Sequence, residues 1–324
     1  MLQALMRWIT EVIRNLSSHR KQKIPAHQPV RQTQRKKAIM NDTMDENVAI
    51  TRILKPSCTV RLNSDSATLS PELKKSQKSK TADPLTLSWE GMSDIGLVRS
   101  QNEDNFSCLA LRNETLFVVA DGMGGHEAGE IASKIAVDMV CKHVQERVKK
   151  NGDPASLLKH AVLMANEAVR QEGQSRQLSM GTTLSVVLII KNMAYIANVG
   201  DSRVYSITNG SITQITEDHS LVGKLVAAGK LTREEARKHP QSNLLYRTVG
   251  TDDNIKVDTF QVELTRGSML LLCTDGLWGE VIEEKLYQII VAENDIGNAC
   301  KKLVKMANDN GGSDNITVLI AKVT

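Results

Sequence analysis

The sequence predicts an α+β fold: antiparallel β-sheets stacked on one another, with helices on the outside. Two patterns carry that reading. Short β-like runs come in groups separated by hairpin signals, and helical patterns come in pairs, where a doubly wound sheet would alternate one helix with each strand. At 324 residues and 41% hydrophobic content, the chain can bury one large core and still carry an appendage.

The appendage comes first. Residues 1–88 hold 16 Lys and Arg against 7 Asp and Glu, while the remainder holds 25 against 30. Five of the seven prolines precede Gly91, the first glycine. A basic, proline-bearing stretch without glycine turns reads as a flexible N-terminal extension over residues 1–84, joined to a compact domain over 85–324. Leu2, Leu5, Ile9, Ile13 and Leu16 share one helical face, which reads as a short docking helix; contact with a membrane surface is the alternative. Arg7 and Glu11 interrupt this stretch and argue against a signal peptide. No apolar run approaches the ~18 residues of a membrane span. Five cysteines without a C-x-x-C pair fit reduced thiols in a cytoplasmic protein.

Within residues 85–324 the elements follow in order. "TLSWEGMSDIGLV", "NFSCLAL" and "TLFVVA" read as strands, the last ending at Asp121. Residues 127–149 and 154–176, rich in Ala, Lys, Glu and Leu, read as helices. "TLSVVLII" and "MAYIANV" flank a turn at Lys191 and Asn192, and "RVYSITNGSITQI" turns at Asn209 and Gly210. "HSLVGKLVAAGKLTREEARKH" reads as two short helices. Strands "IKVDTFQVEL" and "SMLLLC", helices over 283–292 and 296–308, and a final strand "ITVLIAKV" complete the domain.

Four aspartates fall at strand ends: Asp121 after "LFVVA", Asp201 after "AYIANVG", Asp275 after "MLLLCT" and Asp314 before "NITVLI". In an antiparallel sheet the end of one strand and the start of its neighbour share an edge, so the four can converge. Any one alone is an ordinary turn former. Crowded together they repel and are desolvated, and they need a compensating cation. Oxygen ligands without a His or Cys grouping point to a hard divalent ion, Mg2+ or Mn2+. Gly122, Gly124 and Gly125 permit close backbone approach, so a main-chain carbonyl can join the ligands. An anion-binding nest at the following helix start is disfavoured, because Asp121 and Glu127 are themselves negative. "SDIGLVRSQNEDNF" adds Arg99, whose planar fork suits phosphate oxygens, with Glu103 and Asp104 suited to orienting water. Alone, that trio reads as a salt-bridged surface strand.

Taken together, "SDIGLVRSQNEDNF", "FVVADGMGGHEAGEIAS", "MGTTL", "ANVGDSRVY", "TEDHSLVGKLVAAGKLTREEARKHP", "LLYRTVGT", "LLCTDGLWGEV" and "SDNITVLI" resemble, in order, the metal-dependent protein phosphatases of the 2C type (PPM) in their bacterial form. The resemblance covers essentially all of residues 88–324. It implies a four-layer αββα sandwich, two antiparallel sheets flanked by helix pairs, with a two-metal site at one edge. By the family pattern Asp121 bridges two Mn2+ or Mg2+ ions, Gly122 gives its carbonyl to one, and Asp275 and Asp314 hold the other. Asp201 matches the carboxylate of a third, weaker ion. Arg99 matches the ligand of the substrate phosphate, and Glu103 and Asp104 match the water-orienting acids. Residues 219–247 match a flap beside the site that influences substrate choice. Many eukaryotic members have a histidine just after the Asp-Gly pair, proposed as general acid; here Met123 stands there, as is common in bacterial members. His126, His219 or a metal-held water is left as proton donor.

The reaction so implied is hydrolysis of phosphoserine or phosphothreonine in proteins, by a water between the metals attacking phosphorus in line. The implied partners are phosphoproteins and a cognate bacterial serine/threonine kinase. A non-catalytic binding module would have lost a metal ligand, and Asp121, Asp275 and Asp314 are all present. A phosphatase dedicated to anti-sigma antagonists would have degenerate "GDSR" and flap stretches, which are intact here. Two decoys fail. Cys141 to Arg147 has C-x5-R spacing but lies in a helical pattern without the glycines of a phosphate loop, and "GKLVAAGKLT" departs from P-loop spacing. The net charge of +4 arises in the extension, where no nucleic-acid motif accompanies it, so no nucleic-acid partner is expected.

Overall fold

The computed structural model describes residues 58–61, 85–125, 127–148 and 152–324. The expectations for the N-terminal helix and for His126 lie outside the described residues. Strands β1 (Cys58–Arg61), β2 (Thr86–Asp94), β3 (Asp104–Ala110) and β4 (Glu114–Gly124) are followed by helices α1 (Ala128–Arg147) and α2 (Pro154–Arg176). Next come β5 (Met180–Thr182), β6 (Leu184–Ile190), β7 (Met193–Val199), β8 (Arg203–Thr208) and β9 (Ser211–Gln214). Two short helices, α3 (Leu221–Ala227) and α4 (Arg233–Arg237), precede β10 (Asp258–Glu263) and β11 (Met269–Cys273). Helices α5 (Asp275–Trp278), α6 (Glu283–Ala292) and α7 (Ile296–Asp309) lead into β12 (Ile316–Val323).

The strands form two antiparallel sheets. One runs β1-β2-β12-β11-β8-β9, the other β10-β7-β6-β4-β3, with β5 paired to the end of β4. β1 falls within the stretch read as an extension and pairs with β2, Cys58 opposite Trp89. The inner strands β4, β6, β8, β11 and β12 are buried on both faces, which is why strands such as "LFVVA" and "TVLIA" read as unbroken apolar runs instead of alternating with polar residues. Along β4, Phe117 and Val119 point into the core between the sheets, while Leu116, Val118 and Ala120 point to α1 and α2. Along β12, Leu319 and Ala321 join the same central core, and Ile316, Val318 and Ile320 pack on the layer of α6 and α7. The result is helix, sheet, sheet, helix: the four-layer αββα sandwich. Trp89 and Phe117 meet edge to face across its centre, ring centroids 5.6 Å apart.

Local signals explain the boundaries. Asp153 caps α2 by accepting the Ser156 N–H at 2.9 Å, with Pro154 behind it in the first turn. Lys191 (φ 56°) turns the β6–β7 hairpin, and Asn209 (φ 52°) with Gly210 (φ 81°) turns the β8–β9 hairpin. One expectation is corrected: β4 does not stop at Asp121 but runs through Gly122 and Met123 to Gly124, held by Thr182, Gly181 and Met180 of β5. The first turn of α1 crosses it there so closely that a Cβ on Gly122 would overlap the Gly129 carbonyl oxygen and stand 2.7 Å from that of Glu103.

Gly122→Ala therefore forces helix from strand at a backbone-to-backbone contact. Overpacking of this kind costs about 1–3 kcal/mol. The urea midpoint should fall accordingly, and an unchanged midpoint would mean that α1 is not seated on β4 as described.

Candidate metal centre

The register of the sheets brings the acids together. In the β3–β4 pair Asp104 stands directly opposite Asp121. Asp201 occupies the turn between β7 and β8, Asp275 opens α5 just beyond β11, and Asp314 lies two residues before β12. β11 and β12 are neighbours, which sets Asp275 beside Asp314. Asp104 and Asp201 are 4% and 3% exposed. Arg99, in the loop between β2 and β3, donates from Nη2 to Asp314 Oδ2 at 2.6 Å. The Glu103 carboxylate lies against Gly129 in the first turn of α1.

Hydroxyls and amides absent from the sequence reading fix these positions. Thr274 and Thr317 both donate to Asp104 Oδ2, at 2.8 and 2.7 Å. The Asp121 backbone is clamped by Thr183 Oγ1, which accepts its N–H at 2.9 Å, and by Thr182 Oγ1, which donates to its carbonyl at 2.8 Å. Asn315 ties down the loop of Arg99: its Nδ2 donates to the carbonyls of Ile95 and Gln101, and its Oδ1 accepts the Glu103 N–H. Trp278 Nε1 donates to the Asp201 carbonyl at 3.0 Å. Position offers a signal for Thr274, Trp278, Asn315 and Thr317, each buried within three residues of Asp275 or Asp314, but none for Thr182 and Thr183, which lie far along the chain from all four strand-end aspartates.

His219 is also part of this scaffold. Its ring is 1% exposed. Nδ1 accepts the Gly200 N–H at 3.0 Å, and Nε2 lies 2.8 Å from Arg247 Nη1 and 3.1 Å from Asp258 Oδ2. Burial pushes its pKa down. Buried and held at both nitrogens, His219 braces the Asp201 turn and is not placed to give a proton to a leaving group.

The electrostatics favour a cation. Burial, first of all, raises the carboxyls of Asp104, Asp121 and Asp201 well above the ordinary range, and the charge of Asp275 raises each further. Asp275 is pushed up to about 6, by burial and then by Asp314, and stands close enough to Asp121 to share a proton with it. Oδ1 of Asp104 and Oδ1 of Asp275 are buried with no hydrogen-bond partner. Among the described residues no three His, Cys, Asp or Glu side chains are already closed around one point, and Asp314 is turned to Arg99. The donor set is all oxygen, negatively charged and partly unsatisfied, which fits hard divalent ions.

A pH dependence follows. The Asp275 carboxyl, raised to about 6, keeps its proton in the fold where the unfolded chain has already lost it, so the metal-free fold loses stability as the pH rises through about 6. Divalent cations remove that penalty and compete with the proton. The rise in Tm on adding Mn2+ to chelator-treated protein should be small at pH 5 and large at pH 7.5. An increment independent of pH would separate metal binding from these carboxylates.

Comparison with known proteins places this geometry. The protein phosphatase 2C family matches residues 98–315. The chain is 36% identical over 238 residues to the serine/threonine phosphatase stp of Listeria welshimeri, covering 72% of this chain and 94% of that protein. The crystal structure of the Mycobacterium tuberculosis serine/threonine phosphatase PstP/Ppp superposes with a TM-score of 0.67 at 35% identity, covering 73% of this chain and 98% of that one. The catalytic domain of PstP in complex with two manganese ions superposes at 0.66 with 34% identity, over 74% of this chain and 99% of that one. The chain belongs to the protein phosphatase 2C family.

Proposed function

We propose that this protein is a metal-dependent serine/threonine protein phosphatase whose chemistry takes place at the acidic edge of the sandwich. The observation that carries this reading is a group of buried and half-buried aspartates, two with unsatisfied oxygens, beside one arginine that has donors to spare. Relatives named as serine/threonine phosphatases, one of them holding two manganese ions, support it. In this reading Asp121, the Gly122 carbonyl, Asp275 and Asp314 hold two Mn2+ or Mg2+ ions, and Asp201 serves a third, weaker one. When bound, the ions supply Lewis-acid charge to the phosphoryl group and acidify the attacking water.

The chain's own residues do the rest. Arg99 spends one of its five N–H donors on Asp314 and keeps the others for phosphate oxygens. Asp104, its Oδ2 fixed by two threonine hydroxyls, presents Oδ1 to orient water, and Glu103, its N–H held by Asn315 Oδ1, works beside it. The substrate is a phosphoserine or phosphothreonine side chain, so some serine/threonine kinase must supply it; we place a cognate kinase opposite this enzyme. The four cysteines with described side chains are unbridged, which supports a reducing, cytoplasmic setting. Among the described residues no helix is long and apolar enough to cross a membrane.

Phosphothreonine and phosphoserine peptides, including fragments of an autophosphorylated kinase, should be hydrolysed with Mn2+ or Mg2+ and spared in excess chelator. Robust turnover in chelator, or none with either metal on any peptide, would overturn the reading. Arg99→Ala should mainly raise KM, by about 10- to 100-fold for a lost charge-assisted contact. An unchanged kcat/KM would confine Arg99 to its surface pair with Asp314.

A further inference from the structure

We infer that Arg237, on α4, is a substrate-specificity residue: it forms a subsite for a second negative group, carboxylate or phosphoryl, carried by the phosphoprotein within a few residues of the phosphate being removed. The inference rests on the phosphatase reading above. A cleft of about 840 Å³ has Asp275 and Asp314 in one wall and Arg233, Arg237 and Lys238 of the flap in another. A peptide bound with its phosphate at the aspartates therefore runs past the basic side of α4.

The three flap cations are not equivalent. Arg233 is neutralised by Glu283 and also reaches Gln214 Oε1. Lys238 pairs with Glu234 at 2.8 Å on their own short helix. Arg203 behind them is clasped by Asp218 at 2.7 Å, donates to the Tyr205 hydroxyl and stacks on Trp278. Arg237 makes no hydrogen bond or ion pair among the described residues, although it is partly buried and faces the positive charges of Arg203 and Arg233, against which Glu283 acts only at longer range. It also lines the adjoining pocket of about 400 Å³ beneath the flap, so its guanidinium is reachable from the cleft and partly shielded from bulk water. An unpaired, partly dehydrated cation is relieved by any anion that reaches it. Of the cleft's acids, Glu283 and Glu234 are spent on these pairs and Glu280 holds Ser313. Glu284 is exposed and keeps its water.

The test compares kcat/KM, with Mn2+ and full-length protein, across phosphothreonine peptides that differ at one flanking position. One set carries Glu, a second carries phosphoserine, and controls carry Ala or Lys, scanned four residues either way. Wild type should prefer the acidic peptides over the Ala control at one or two positions by about five- to tenfold. Arg237→Gln should bring that ratio near one, Arg237→Lys should keep part of it, and Arg237→Glu should shift preference to the Lys peptides. Preference for phosphoserine alone would identify a second phosphoryl group as the anion, and preference for both sets would admit carboxylates too. No acidic preference in wild type, or the same ratio in folded Arg237→Gln as judged by its thermal melt, would overturn the subsite. Failure of wild type to hydrolyse even p-nitrophenyl phosphate with Mn2+ would overturn the phosphatase reading instead, and the subsite with it.

Discussion

Asp104 and Asp121 face one another across the β3–β4 ladder, two carboxylates at a position where a sheet normally pairs apolar or opposite-charge residues. Like charges so placed destabilise a sheet, and burial sharpens the conflict because Asp104 is closed off from water and Asp121 is only partly open to it. The remainder of the site can be understood as a response to that constraint. Two threonine hydroxyls satisfy one oxygen of Asp104 and leave the other bare. Asp275 stands close to Asp121, and Arg99 neutralises Asp314 from the solvent side. What these contacts leave unmet is charge that a divalent cation can take up.

Such a site needs a frame that cannot relax away from it. The inner strands of both sheets are buried on both faces, and the central core joins them through Trp89, Phe117, Leu319 and their neighbours. The strands therefore cannot slide a residue without carrying an apolar side chain out of one core or the other. Around the acids, polar contacts take over from packing. Asn315 fixes the Arg99 loop, Thr182 and Thr183 fix the Asp121 backbone, and Trp278 and His219 fix the Asp201 turn. The flap borders the site but is held differently, by ion pairs such as Arg233–Glu283 and Arg247–Asp258.

How much of this could be seen in the sequence depended on whether the signal was local. Helix pairs, hairpins and strand-end aspartates have local signatures: Asn209–Gly210 turns where its type requires, and Asp153–Pro154 starts α2. The aspartates could be grouped because an antiparallel edge gathers strand ends. The extension of β4 through its glycines was missed, because glycine reads as a turn unless the close crossing of α1 is known. Thr274, Thr317 and Asn315 were missed for a related reason, since a threonine beside a strand is unremarkable until the acid it satisfies arrives from 170 residues away or more. His219 looked like a possible acid because the sequence gives its chemistry but not its burial.

The central claim is that opposed aspartates are retained at a cost to the fold because a cation needs them. Asp121→Asn tests both halves in one titration, with thermal unfolding followed in chelator and then with increasing Mn2+. The account predicts that, in chelator, the variant melts at or above the wild-type temperature, because a buried repulsion has been removed. It also predicts that Mn2+ raises the variant's melting temperature far less than the wild type's, with affinity weakened at least about tenfold. A variant that melts lower in chelator and still binds Mn2+ as tightly as wild type would contradict it.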